Sequence, residues 1–242
     1  MKVQLNSISG IDDALLTMYF SKGTWDWDLD KDIRLLVSKC TDRRGQYIPS
    51  KSFIDNDLYN KRMTTLLKYA PIHSTMASFI DLSFTVEGMH RAGQDDWDAH
   101  AKRMDNRIIR QSTRLGNIPE DAKSDFYKGK ILTYHEAMDI LGIEAPDEIT
   151  HEGKTYVRVH DGYVLKGLEK NRDAHRGLYH LAFPSNFTFK VNLAQFAHIY
   201  RHRNEKGGAN PEVKQLAEQC MSLITAAQPL LTRDVVMSIM TD

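Results

Sequence analysis

VNLAQFAHIYRHRNEKGGANPEVK, residues 191–214, is the stretch on which the reading of this chain turns. Leu193, Phe196, Ala197 and Tyr200 recur at helical spacing and form an apolar stripe able to face a core. Asn192, His198, Arg201 and Arg203 fall at the edges of that stripe or away from it. Two guanidinium groups and an imidazole crowded into about one turn repel one another, which a fold tolerates when an anion sits between them. The same residues also suit a solvated basic face near a helix end, where cations complement the dipole. Residue type alone leaves both readings open.

Outward from this helix, residues 216–227 continue an apolar stripe through Leu216, Ala217, Cys220, Leu223, Ile224 and Ala227, and Thr232 caps a last short helix. Upstream, residues 187–191 alternate as a strand that enters Asn192. Residues 154–165 read as a β-hairpin, with Asp161-Gly162 supplying the positive φ values of a tight turn. Residues 133–141 are a helix with Thr133 as N-cap, Glu136 at the third position and Gly142 as its stop. Residues 79–88 alternate as a half-buried strand before a helix that opens near Met89-His90-Arg91-Ala92. Residues 58–69 form a helix ended by Pro71, and the polar run 41–57 reads as a loop. Near the start, residues 1–7 suggest a strand and residues 11–19 a helix. Trp25 and Trp27 then sit in an exposed acidic turn before a short helix that buries Ile33, Leu36 and Val37.

The chain has 242 residues, 41% of them hydrophobic, which suits one globular domain over residues 1–242. Lys plus Arg equals Asp plus Glu at 32 each, so no global basic field exists to hold nucleic acid. Cys40 and Cys220 have no CxxC context, which fits a reducing compartment and excludes a disulfide scaffold or zinc site. The aspartates around Trp25 and Trp27 lack the glycine of a calcium loop, so no metal is expected. No run approaches the roughly 18 apolar residues of a membrane span. The expected protein is cytoplasmic.

Residues 191–214 also resemble the C-terminal motif of the flavin-dependent thymidylate synthase family. In that family an Asn-Leu opens a helix, an Asn or His follows one face along, then Arg-x-Arg, and Ala-Gln-x-Glu-x-Arg closes it. Here the places are held by Asn192-Leu193, His198, Arg201-His202-Arg203 and Ala209-Asn210-Pro211-Glu212-Val213-Lys214, with one extra residue around Gly207-Gly208. His73, ahead of the alternating strand, resembles the family's His-x-(Ser/Thr) turn. Ser112-Thr113-Arg114 matches the Ser-x-Arg that closes the family's signature. The opening Arg-His-Arg has become Lys102-Arg103-Met104, and Arg107 stands for the first Ser. Ala174-His175-Arg176 with Phe183-Pro184 resembles an Ala-Arg that precedes a Leu-Pro.

The resemblance implies an α+β fold, a mixed or antiparallel sheet flanked by helices, with the hairpin near 154–165 as an insertion or replacement. It implies a homotetramer with sites built from several subunits, and FAD, NADPH and methylenetetrahydrofolate as cofactors. It also implies dUMP, or a related deoxypyrimidine monophosphate, as acceptor of the one-carbon unit. Arg203 would be catalytic and face the pyrimidine, with Ser112, Arg114 and Arg176 holding the nucleotide. His73, Lys102, Arg103, Asn192 and His198 would face the flavin. Independently of the family, Ser112 and Arg114 point the same way in an extended backbone and can present a hydroxyl and a guanidinium to one phosphate. Met104 cannot hydrogen-bond as Arg does. The alternative is therefore a diverged member that binds a pyrimidine nucleotide with altered or lost flavin chemistry. A third reading, an interaction module using Arg201-His202-Arg203, has little phosphate-binding field behind it.

Overall fold

The structure, a computed structural model, describes residues 1–99, 107–112, 122–171, 174, 177–204 and 210–239. It divides into a larger unit, residues 3–86, 95–109 and 188–242, and a smaller one, residues 1–2, 87–94 and 110–187. The fold class is α+β, with helices flanking two sheets. Strands β1 (Lys2–Ser9), β2 (Asp81–His90), β3 (Arg107–Arg110) and β7 (Pro184–Asn192) form a four-stranded sheet in the order β1-β2-β7-β3.

In the larger unit the alternation of β2 buries Leu82, Phe84 and Val86, and that of β7 buries Phe189 and Val191. Helix α7 (Leu193–Asn204) follows β7 directly and lays Leu193, Phe196, Ala197 and Tyr200 into the core. Phe84 stacks on Phe189 at 5.1 Å and lies 6.4 Å from Phe196, ring centre to ring centre. The backbone N–H of Leu193 donates to Ile80 at 2.8 Å, tying the start of α7 to the residue before β2. Helix α1 (Ile11–Ser21) is entered through Gly10 at φ 79°, where an added Cβ would sit 2.0 Å from the Phe79 carbonyl oxygen. Only glycine fits both the left-handed backbone and that approach.

The opening helices run longer than their apolar spacing alone suggests. Helix α2 (Trp27–Cys40) begins at Trp27 because Asp26 accepts hydrogen bonds from the N–H groups of Asp28 and Leu29. It buries Ile33, Leu36 and Cys40, whereas the expected Val37 is only half-buried. Helix α3 (Phe53–Tyr69) starts inside the segment read as a loop, with Ser52 capping the N–H of Asp55. Its first turn exposes Phe53 and Ile54, so no buried stripe announces it. After the four-residue α4 (Ser74–Ala77) and β2 comes α5 (Arg91–Ala99), and β3 follows at Arg107. Arg107, the residue in the place of the family's first Ser, opens β3.

The smaller unit carries α6 (Tyr134–Leu141) and an antiparallel sheet of β4 (Glu148–His151), β5 (Lys154–Val159) and β6 (Gly162–Leu165). The hairpin is present, but its turn is one residue earlier than expected. Val159 pairs with Gly162, His160 takes the positive φ of 52°, and Asp161 is the second loop residue. The Asp161 carboxylate accepts from the ring and backbone N–H of His135 on α6, which holds it in the loop. Gly162 packs under Leu178: an added Cβ would stand 2.7 Å from the tip of that side chain, which would have to shift. Strand β4 is fully exposed and carries no alternation, which is why the sequence does not mark it.

In the remaining helices, α8 (Pro211–Ala227) is capped by Asn210, and α9 (Arg233–Ser238) is capped by Thr232 as expected.

Candidate functional site

Three of the site residues that the structure describes lie at the end of β7 and along α7. Asn192, 8% exposed, ends β7 and uses its side-chain oxygen to accept from the N–H of Gln195 at 2.8 Å, starting the helix. Its Nδ2 makes no hydrogen bond among the described residues and remains a donor. His198 is half-buried, with its ring centre 4.2 Å from that of His202 one turn on. Arg203 is 4% exposed and donates from Nη1 to Asp96 of α5 at 3.0 Å. Its Nε and Nη2 are buried and make no hydrogen bond among the described residues. Burial pulls the guanidinium below the usual Arg range, and Asp96 offsets part of that pull.

Five residues separate His198 from Arg203, about 140° around an α-helix. The two therefore leave the helix on different sides, and the basic run does not act as one cluster. Arg201 is drawn off as well, because its Nη2 donates to the carbonyls of Met237 and Ile239 at the end of α9. Of the two readings left open by residue type, a solvated basic face does not form. One guanidinium supports a neighbouring helix and the other is buried with an open edge.

Of the remaining candidates, His73 is exposed at the N-cap of α4 and caps nothing with its side chain. Ser112 is exposed two residues after β3 and belongs to the smaller unit. Lys102, Arg103, Arg114 and Arg176 lie outside the described residues.

The run Gly93-Gln94-Asp95-Asp96-Trp97-Asp98 on α5 carries functional-looking groups that the sequence reading passed over. Gln94 is fully buried and donates from Nε2 to the Met89 carbonyl and to the carbonyl and hydroxyl of Ser185, at 3.0, 3.0 and 2.6 Å. Trp97 is also fully buried; its ring meets Phe189 edge-on at 5.3 Å, and its Nε1 has no hydrogen-bond partner among the described residues. Three acids and a Trp within one helix were the available signal. Nothing in the spacing revealed that Arg203 was the partner.

Both cysteines are buried, and burial pushes their thiols up, Cys220 well above its ordinary value. Neither is poised to act as a thiolate nucleophile. Among the described residues no group of three or more His, Cys, Asp or Glu could hold a metal ion. An open cavity of about 600 Å³ in the larger unit is lined by Phe20, Trp25, Trp27 and Phe79 and involves none of the residues above. Asn192 Nδ2, at the end of β7, and the Nε and Nη2 of Arg203, near the end of α7, are donors eleven residues and so roughly 16 Å of helix apart. Each suits an acceptor group of a planar ligand.

A family profile described as "Thymidylate synthase complementing protein" (Thy1) matches residues 28–230. In fold the chain is similar to thymidylate synthase X (ThyX) from Helicobacter pylori, solved with FAD and dUMP. The TM-score is 0.52 at 9% identity over 98% of this chain and 99% of that one. A second Helicobacter pylori structure, of flavin dependent thymidylate synthase ThyX complexed with FAD and dUMP, gives a TM-score of 0.52 at 9% identity over 97% and 99%. The UMP/dUMP methylase PolB from Streptomyces cacaoi, bound with 5-Br dUMP, gives 0.50 at 12% identity over 95% and 92%. At such identities the likeness speaks for the fold alone. No curated protein matches the chain. The profile match runs from the first turn of α2 to just past the end of α8, through residues of both units, and by it the chain belongs to the thymidylate synthase complementing protein family.

Proposed function

We propose that the protein is a flavin-dependent enzyme that transfers a one-carbon unit from methylenetetrahydrofolate to dUMP or a related deoxypyrimidine monophosphate. The observation that carries this reading is the buried Arg203 guanidinium with its Nε and Nη2 N–H groups unpaired among the described residues. A buried donor left unpaired costs about 1–3 kcal/mol, more for a charged group, and a ligand acceptor removes that cost. Bound FAD, reduced by NADPH, supplies hydride to the ring.

The chain's own groups do the rest. Arg203 meets the acceptor edge of the pyrimidine and stabilises negative charge that builds there, inside a site from which water is excluded. Ser112, Arg114 and Arg176 hold the nucleotide, principally by its phosphate. Asn192 through Nδ2 and His198 through its half-buried ring, with His73, Lys102 and Arg103, hold the flavin. No side-chain thiol is required, in keeping with two buried cysteines whose thiols are pushed up. The 242 residues work as one domain, in a cytoplasmic homotetramer whose subunits share sites.

Purified protein should be yellow, bleach with NADPH, and methylate dUMP only with methylenetetrahydrofolate present. Arg203→Ala should keep the flavin spectrum and lose the product. A second reading has its own support in Met104, which stands where the family's triplet ends in Arg and cannot hydrogen-bond as Arg does. It predicts colourless protein, still colourless after incubation with FAD, that binds dUMP and loses it on Arg114→Ala.

A further inference from the structure

We propose that Asp96 is a positioning residue for the base of the nucleotide, acting only through Arg203. This rests on the functional reading above and adds to it which edge of the guanidinium reads the ligand, and what sets that edge. An arginine side chain is long and rich in rotamers, so a guanidinium that recognises a planar ring must be fixed by something other than its own stem. Asp96, from α5, takes Nη1 at 3.0 Å. Its carboxylate is 35% exposed, whereas the Arg203 side chain is 4% exposed, so the anchor is on the solvent side of the pair and the rest of the guanidinium points inward.

With Nη1 occupied, the donors that remain are Nε and Nη2, both buried and both without partners among the described residues. Those two N–H groups share one edge of the guanidinium and lie nearly parallel. They make a fork that can close on one ring carbonyl oxygen, which has two lone pairs, or on O2 and N3 together where N3 carries no proton, as in cytosine. Had Asp96 taken the Nε and Nη2 edge instead, the fork would be spent on protein. The carboxylate also keeps the buried guanidinium charged against the pull of desolvation.

The test is a double-mutant cycle on the holoenzyme, with Asp96→Asn, Arg203→Met and the double variant, and Asp96→Glu as the conservative control. Calorimetry reads binding of dUMP and of deoxyribose 5-phosphate, which has the phosphate and sugar but no base. Asp96→Asn should weaken dUMP about tenfold or more while leaving deoxyribose 5-phosphate unchanged. It should add nothing once Arg203 is Met, and Asp96→Glu should recover part of the loss. If Asp96→Asn does not fold, Asp96→Glu carries the test, since one added methylene shifts the fork and should weaken dUMP but not the sugar phosphate.

Asp96→Asn that binds dUMP like the wild type overturns the proposal. So does a loss shared equally by dUMP and the sugar phosphate, or one that persists in the Arg203→Met background. In any of these cases the functional reading survives if Arg203→Met alone loses dUMP. Wild-type protein with no dUMP affinity ends both.

Discussion

Helices α7 and α6 read almost equally well from sequence and are held by opposite means. Eight of the twelve residues of α7 are buried, Arg203 among them. None of the eight residues of α6 is buried, and Tyr134, Ile140 and Leu141 are exposed. α6 exists through its ends. Thr133 and Glu136 form a reciprocal capping box, Lys123 donates to the Glu136 carboxylate at 2.6 Å, and Gly142 closes the helix in the left-handed region. α7 is held by its stripe against Phe84 and Phe189. A helix held at its ends needs no buried face, but only one buried against a sheet can keep a guanidinium out of water and half unsatisfied. The second kind is where a ligand can be recognised.

The largest expected effect is on ligand affinity. If Arg203 reads the nucleotide as proposed, Arg203→Ala removes charge-assisted hydrogen bonds to it, and dUMP binding should fall about 100-fold or more by calorimetry. Ile140→Ala on α6 should leave it unchanged; a matching loss there would break the contrast. Next is stability. Phe196→Ala in α7 should cost about 3–5 kcal/mol in denaturant unfolding. Ile140→Ala should cost no more than about 0.5 kcal/mol, the usual range for exposed sites. Thr133→Ala, which opens the capping box, should cost about 1 kcal/mol, seen as faster amide exchange across α6 but not α7.

The smallest effects are pH responses of opposite sign. Burial, and then the hydrogen bond it donates to Glu218, push the Tyr200 hydroxyl up to about 12. Its protonated form is the one the fold favours, so this contribution is complete below the ordinary Tyr value of 10 and is lost as pH rises through about 12. Glu136 is held below its ordinary 4.5 chiefly by the Lys123 hydrogen bond, so its contribution is present above 4.5 and is lost as pH falls through its lowered value. Amide exchange should therefore quicken first around α7 in alkali and first around α6 in acid. Simultaneous loss at both extremes would blur the distinction between the two helices.

Much of the scaffold was readable because its signals are local. The Thr133–Gly142 box, the apolar stripes of α7 and α8, the Thr232 cap and the alternation of β2 and β7 each need only a few consecutive residues. The misreadings fall where the deciding partner is distant or absent. Residues 53–57 read as loop because Phe53 and Ile54 face solvent, leaving the Ser52 cap as the sole mark of where α3 begins. β4 has no buried face to alternate. The hairpin turn moved one residue because His135 claims Asp161, a contact that no Asp-Gly rule contains. In the candidate site, Asn192, His198 and Arg203 were singled out by the family resemblance. The pairing of Arg203 with Asp96 was not legible, since the two are more than a hundred positions apart.

Beyond the α+β class that the family resemblance implied, the sequence by itself marked many of the helices and strands, though not β4 or the first turn of α3, and a basic run at the end of an apolar helical stripe. Those properties follow from periodicity and capping, which act over one or two turns. Only the tertiary structure decided what each cation does. Arg201 goes to carbonyls at the end of α9, and Arg203 goes inward onto Asp96 with its Nε and Nη2 edge open. Burial and pairing of a charge depend on what the rest of the chain brings alongside it, and spacing along the chain does not encode that.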